Sequence, residues 1–288
     1  MSLIMNTIKM AGWTALGALL ACQASAHERY MLPSHTLLSG DKPQSVTVTA
    51  SISNAIFHPD RPLADSNTGA DVGDLKDLFA ILQHQVIAPN GKVSDNTKWQ
   101  AFARMSVADI KLEDSGTYRI GLVQPDVAMT TFTKADGTPW RVFGKAPKLP
   151  EGATNIVRRT TSSRVEAFVS LNSPTDTALK ATGVGVELAG ESHPNDIFAG
   201  EKVSFQLLFN GKPLTMPARV KLIKAGTRHR NDRNEQIIKV GADGKFGFTP
   251  SEAGFYFLSA ETKVKVPQPA NVDVKHYSLY LSLEVFPE

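Results

Sequence analysis

Hydrophobic and polar residues alternate with a period of two along much of the chain. Between Ser45 and Ser53, Val46, Val48, Ala50 and Ile52 fall on one side, and serines and threonines on the other. Val165, Ala167, Val169 and Leu171 repeat the pattern, as do Val203, Phe205, Leu207 and Phe209. The final segment sets Tyr277, Leu279, Leu281, Leu283 and Val285 against His276, Ser278, Tyr280, Ser282 and Glu284. Such alternation predicts antiparallel strands with one face on a core and the other in water. Asn90-Gly91, Asn210-Gly211 and Asp243-Gly244 are predicted hairpin turns, because Gly and Asn tolerate the positive φ a tight turn requires. Only Asp74 to Gln83 reads as a short helix, and its tail is equally able to open a strand. The chain is predicted to be all-β.

An internal echo divides it in two. Glu113-Asp114-Ser115-Gly116-Thr117-Tyr118 and Ser251-Glu252-Ala253-Gly254-Phe255-Tyr256 each place an acid, a Gly and then a Tyr before an apolar run. That is the pattern of a tyrosine corner, in which the phenol bonds back to the turn of an immunoglobulin-type sandwich. The polar stretch Asn172 to Gly183 lies between the two and reads as a linker. The expected domains are an N-terminal β-sandwich over 27–180, with His58 to Gly73 as an extended loop, and an immunoglobulin-like β-sandwich over 181–288.

Residues 1–26 read as a cleaved signal peptide. Lys9 supplies the positive start, Ala11 to Ala21 an apolar run, and Ala24-Ser25-Ala26 the small residues a peptidase recognises. The apolar run is well short of the roughly 20 residues that span a bilayer, and no later stretch approaches that length. The mature chain is therefore expected in the periplasm, without a membrane span, beginning at His27. Leu19-Leu20-Ala21-Cys22 offers an alternative, lipid anchoring at Cys22. Cleavage after Ala26 removes the only Cys, so disulfides and thiolate chemistry are excluded. The 288-residue chain carries 31 basic and 28 acidic residues with no basic run interleaved with aromatics, which argues against nucleic acid.

His27 carries the strongest chemical signal. A mature N-terminal His offers its α-amine and imidazole to one metal ion, and a second imidazole completes a three-nitrogen set suited to Cu(II) or Ni(II). His58, in Phe57-His58-Pro59-Asp60-Arg61-Pro62, sits in a Pro-stiffened turn after a strand. His193, in His193-Pro194-Asn195-Asp196, stands near the linker, and His35 follows Pro33-Ser34. These four are the candidate ligands, each with a plain structural alternative as a packed or capped turn. His84 reads as a satisfied core or edge residue and His276 as solvated. Arg228-His229-Arg230-Asn231-Asp232-Arg233 tips a hairpin, and is either a carboxylate or phosphate grip or a solvated loop. No G-x-S-x-G, H-E-x-x-H, Walker loop or G-x-G-x-x-G is present, so no catalytic role is expected.

The chain resembles a family of exported bacterial proteins known as a domain of unknown function, whose members are described in places as the periplasmic component of nickel or cobalt uptake. The resemblance rests on His27-Glu28-Arg29-Tyr30-Met31-Leu32-Pro33-Ser34-His35-Thr36, on Phe57 to Leu63 and Leu149 to Thr154, and on His193 to Glu201. Gly211-Lys212-Pro213-Leu214, Arg228-His229-Arg230 and His276-Tyr277 to Phe286-Pro287 also match. It implies export, a β-sandwich and transition-metal handling, and it places His27, His35, His58, His193, His229 and His276 in matching motifs. Ala242 to Ala260 also looks like part of transthyretin-like domains. The expected function is a periplasmic binding protein for a divalent ion, nickel, cobalt or copper, passed to an envelope transporter or receptor. A non-catalytic envelope interaction module is the alternative. A copper-dependent polysaccharide monooxygenase using His27 is a further one, disfavoured by the absence of disulfides and of a flat aromatic surface.

Overall fold

The computed structural model describes residues 28–66, 72–267 and 271–288; the signal segment and His27 lie outside them. Among the described residues the strands form three sheets. The first sets Glu28–Pro33, Gln44–Ser53 and Ser106–Leu112 side by side, all antiparallel. The third sets Val203–Phe209 between Val186–Gly190 and Lys245–Phe248. Between these two runs a ten-stranded sheet. Its middle is made of Gly116–Thr133, Thr154–Leu171, the closing strand Val274–Val285, and Gly254–Lys265.

That central sheet is shared by both halves of the chain. Thr154–Leu171 runs parallel to the closing strand, from Arg159 beside Val274 to Ala167 beside Ser282. Because side chains alternate across a sheet, its two faces carry two different cores. Tyr118, Ile120, Leu122, Val165, Ala167 and Val169 meet Val46, Val48 and Ala50 of the first sheet. Tyr256, Leu258, Leu279, Leu281 and Leu283 meet Val203, Phe205 and Leu207 of the third. Val165 lies beside Tyr280 and Glu166 beside Leu281 in the parallel register, which puts the two cores on opposite faces. The architecture is all-β, two immunoglobulin-like antiparallel sandwiches joined through one continuous sheet.

Local chemistry explains the details. Tyr118 Oη donates to Asp114 O and accepts from Asp114 N–H, and Tyr256 Oη donates to Glu252 O, so both sandwiches carry a tyrosine corner. Asn210 and Gly211 have φ of 51° and 76° and join strands that pair Phe209 with Lys212, a two-residue turn that needs positive φ twice. The helix falls at Lys76–Ile81 and a strand opens at Gln83, so the tail of that segment takes the strand alternative.

The expectation of one wet face fails for the central strands. Arg164, Glu166 and Phe168 are as buried as Val165, Ala167 and Val169, because the shared sheet is covered on both sides here. The polar face of the closing strand is likewise partly covered. Ser278 and Ser282 are buried, and Thr36 donates to Glu284 and Ser282 to Met31 O. The N-terminal strand crosses this face. A third, small core of Tyr30, Ile56, Ile223 and Phe257 fixes it there.

Candidate functional site

The loop after Gln44–Ser53 is anchored by Phe57, which takes a φ of 61°. Its ring lies 5.3 Å from Tyr30, 6.2 Å from Phe255 and 6.5 Å from Phe257, edge-on each time. Aromatic contacts of this kind hold a loop in one place, and the next residue is His58. Opposite it, Ala218–Lys224 ends in Gly226 and a short 3-10 turn, Thr227–His229. The Arg230 guanidinium donates to the carbonyls of Lys224, Ala225, Asp232 and Arg233 and so stiffens that loop from within. Arg233 pairs with the buried Glu28 carboxylate, whose other oxygen takes Lys221 Nζ at 2.7 Å. The loop is thereby tied to the start of the N-terminal strand.

The two loops bring His58 and His229 face to edge, with ring centres 6.0 Å apart and planes at 74°. Bonds of about 2.0–2.1 Å from two imidazoles to one ion place the ring centres roughly 4.5–6.4 Å apart, depending on the bond angle. The observed 6.0 Å corresponds to an angle of about 140° at the ion, wider than the tetrahedral one, so the two rings must draw closer to share an ion in that geometry. Desolvation and the neighbouring charges of Arg228 and His229 hold His58 below its ordinary pKa, which favours the neutral, ligating imidazole. Glu28 pairs with Ser53 in the register, so the chain enters its first strand between the two loops. Among the described residues no three His, Cys, Asp or Glu side chains converge on one point, and the pair needs a further donor to close a metal site.

The other predicted ligands lie elsewhere. His27 is outside the described residues. His35 is exposed, with Nδ1 near Ser34 Oγ, past the far end of the N-terminal strand; six residues of strand span roughly 17 Å. His193 occupies a buried seam beside the linker. Its Nδ1 accepts from Asn195 N–H at 3.0 Å, while Nε2 faces Thr117 Oγ1 and Thr175 O. Both ring nitrogens are in use, the arrangement of a structural histidine. His84 is half-buried, and burial lowers its pKa against the opposing pull of the Thr97 backbone. His276 is only a quarter exposed and stands 3.7 Å from Glu261 on the neighbouring strand, so it is not the solvated residue that the alternation predicts. The arginine loop is no open anion grip, because Arg230 and Arg233 are spent on internal carbonyls and Glu28. His229 was the partner that the sequence did not single out, since nothing local links it to His58.

The most heavily charged place in the interior is structural. Arg119 contacts Glu166 at 2.9 Å and Glu187 at 3.1 Å, and Arg164 contacts Glu166 at 2.8 Å, all with side chains at most 4% exposed. Thr182 and Gly183 donate to Glu187 as well. Glu187 belongs to the third sheet and the other three to the shared one, so this balanced tetrad pins the two halves together.

No curated protein matches the chain. Among solved structures it is similar to the two tandem V-type regions of VCBP3, a v-region-containing chitin-binding protein. Identity there is 10%, over 88% of this chain and 98% of that one, with a TM-score of 0.19. It is also similar to Escherichia coli alpha-2-macroglobulin activated by porcine elastase, at 12% identity over 91% of this chain, with a TM-score of 0.22. The match spans 30% of that protein's length. Superpositions this loose bear on neither architecture nor activity. Residues 24–264 match the family described as domain of unknown function DUF4198, and the chain belongs to that family.

Proposed function

We propose that this chain is an exported, non-catalytic binding protein for a transition-metal ion of the nickel, cobalt or copper class, which it passes to an envelope transporter or receptor. The ion would be held by His58 and His229, with the α-amine and imidazole of a mature N-terminal His27 as the completing donors. The observation that carries this reading is the meeting of His58 and His229 on two braced loops that flank the start of the N-terminal strand. Imidazole and amine nitrogens suit these ions, and a lowered pKa keeps His58 available. His35 and His193 have no part in this site.

The test is a titration of Ni(II), Co(II), Cu(II) and Zn(II) into protein exported and processed by the cell, beside a control carrying one extra Gly before His27. Tight binding weakened at least tenfold in the control is the expected result, and it names the preferred ion. Equal binding in both removes the amine from the set, and no binding in either ends the metal reading.

A second reading, an envelope interaction module, is favoured by Trp140 and Phe143, 53% and 65% exposed. They sit on Pro139–Phe143, which pairs with Gly116–Thr133. Capture of an envelope partner lost in Trp140→Ala, with no metal affinity, would place it first.

A further inference from the structure

The hairpin of Gly116–Thr133 and Pro139–Phe143 reaches past the closing strand, whose pairing with Thr154–Leu171 begins only at Arg159. Pro139–Phe143 is its outer strand, and among the described residues it pairs with Gly116–Thr133 alone. The bonding pattern fixes which backbone groups that pairing uses. Lys134 N–H donates to Thr138 O and Gly144 N–H to Ala128 O, on either side of the pairs Phe132–Trp140 and Thr130–Val142. Opposed residues of antiparallel strands exchange bonds at every second pair, so Trp140 and Val142 bond inward. The N–H and C=O groups of Arg141 and Phe143 then point outward, as does the C=O of Pro139. Four of the five residues are exposed, and Val142 is half-buried.

Proteins hide such an edge with charges, bulges or a covering loop. Here a Pro and an Arg blunt it, yet Trp140 stands on one face of the strand and Phe143 on the other, both exposed. The Trp140 ring is held in place, with Lys134 Nζ 3.9 Å from its centre. A line of outward N–H and C=O groups is complementary to one kind of ligand, an extended chain that adds to the sheet. Side chains on the two faces of the edge meet alternate residues of that chain. The charge says which chain. Residues 129–159 carry six basic side chains and two acidic ones, against 31 and 28 in the whole sequence, so the positive charge of the protein is concentrated here. A second copy would bring a like-charged arm; an acidic segment would not. We infer that this edge takes an extended acidic and apolar segment of a partner protein as an added strand. The inference rests on the interaction reading that Trp140 and Phe143 favour, and it holds with or without a bound ion.

Selection of a randomised library of short peptides on the exported, processed protein tests it, with Phe143→Pro as the counter-target. That variant removes one outward N–H and no inward bond, at an edge position where Pro is tolerated. Phe143→Ala keeps the N–H and removes the ring, and both variants should unfold at the wild-type temperature. The enriched peptides are expected to alternate apolar residues with Asp or Glu, to bind Phe143→Pro at least tenfold more weakly, and to lose less on Phe143→Ala. Methylating alternate peptide nitrogens should abolish their binding. Peptides that bind Phe143→Pro as tightly as the wild type and are lost only in Trp140→Ala would overturn strand addition, leaving the interaction reading with a side-chain contact. No enriched peptide, or a dimer of the protein that Phe143→Pro dissolves, would overturn the acidic partner.

Discussion

His193 shows what a single residue does when both ring nitrogens are used. Asn195 N–H fills Nδ1, and Nε2 reaches Thr117 and Thr175, so the imidazole is needed neutral. Burial lowers its pKa, outweighing the Thr175 carbonyl and the charges of Asp176 and Asp196. The folded value lies below the unfolded one, near 6.5, so the unfolded chain takes up the proton first. The stabilisation is complete above the unfolded value and is lost as pH falls through the window beneath it. The urea midpoint is therefore expected to drop between pH 7.5 and pH 5, and to drop less in His193→Gln. That variant also loses about 1–3 kcal/mol at pH 7.5. An equal acid loss in both proteins would assign the effect to other groups, His84 among them. The Pro-flanked turn around His193 was legible from the sequence. The occupation of both nitrogens was not, because Thr117 and Thr175 come from a different part of the chain.

At the scale of elements, the strands themselves were legible and their second faces were not. Alternation in Val165–Leu171 and Tyr277–Val285 marks the apolar side correctly. The same alternation predicts water on the other side, where the structure has Arg119, Arg164 and Glu166 under the third sheet and Ser282 under the N-terminal strand. Period two reports that one face is apolar; it does not report that a distant strand will cover the polar one. For Glu166, burial pushes the carboxyl up, but Arg119 and Arg164 outweigh it and hold it below its ordinary range. Glu166→Gln leaves two buried guanidinium groups short of a counter-charge and should destabilise the protein by about 3–5 kcal/mol. Lys111 pairs with Glu113 at the surface, where water screens the pair, and Glu113→Gln should leave the urea midpoint essentially unchanged. Comparable urea midpoints for the two variants would show that the tetrad does not bind the halves together.

At the scale of the whole molecule, the shared sheet decides what can meet. The parallel junction of Thr154–Leu171 with the closing strand lays the first sheet partly over the second half of the chain. The third core then draws Phe57 onto Phe255 and Phe257. His58 arrives beside His229 for that reason, although the two belong to opposite halves of the sequence. The tyrosine corners gave two sandwiches, and the prolines around His58 gave a held imidazole; the partner depends on how the sandwiches join, which no local pattern encodes. The most direct test is a double-mutant cycle on Ni(II) or Cu(II) affinity with His58→Ala, His229→Ala and both. If the two rings hold one ion, each single variant binds at least tenfold more weakly, and the double variant is scarcely worse than either. Wild-type affinity in both single variants, or two losses that simply add, would contradict a shared site.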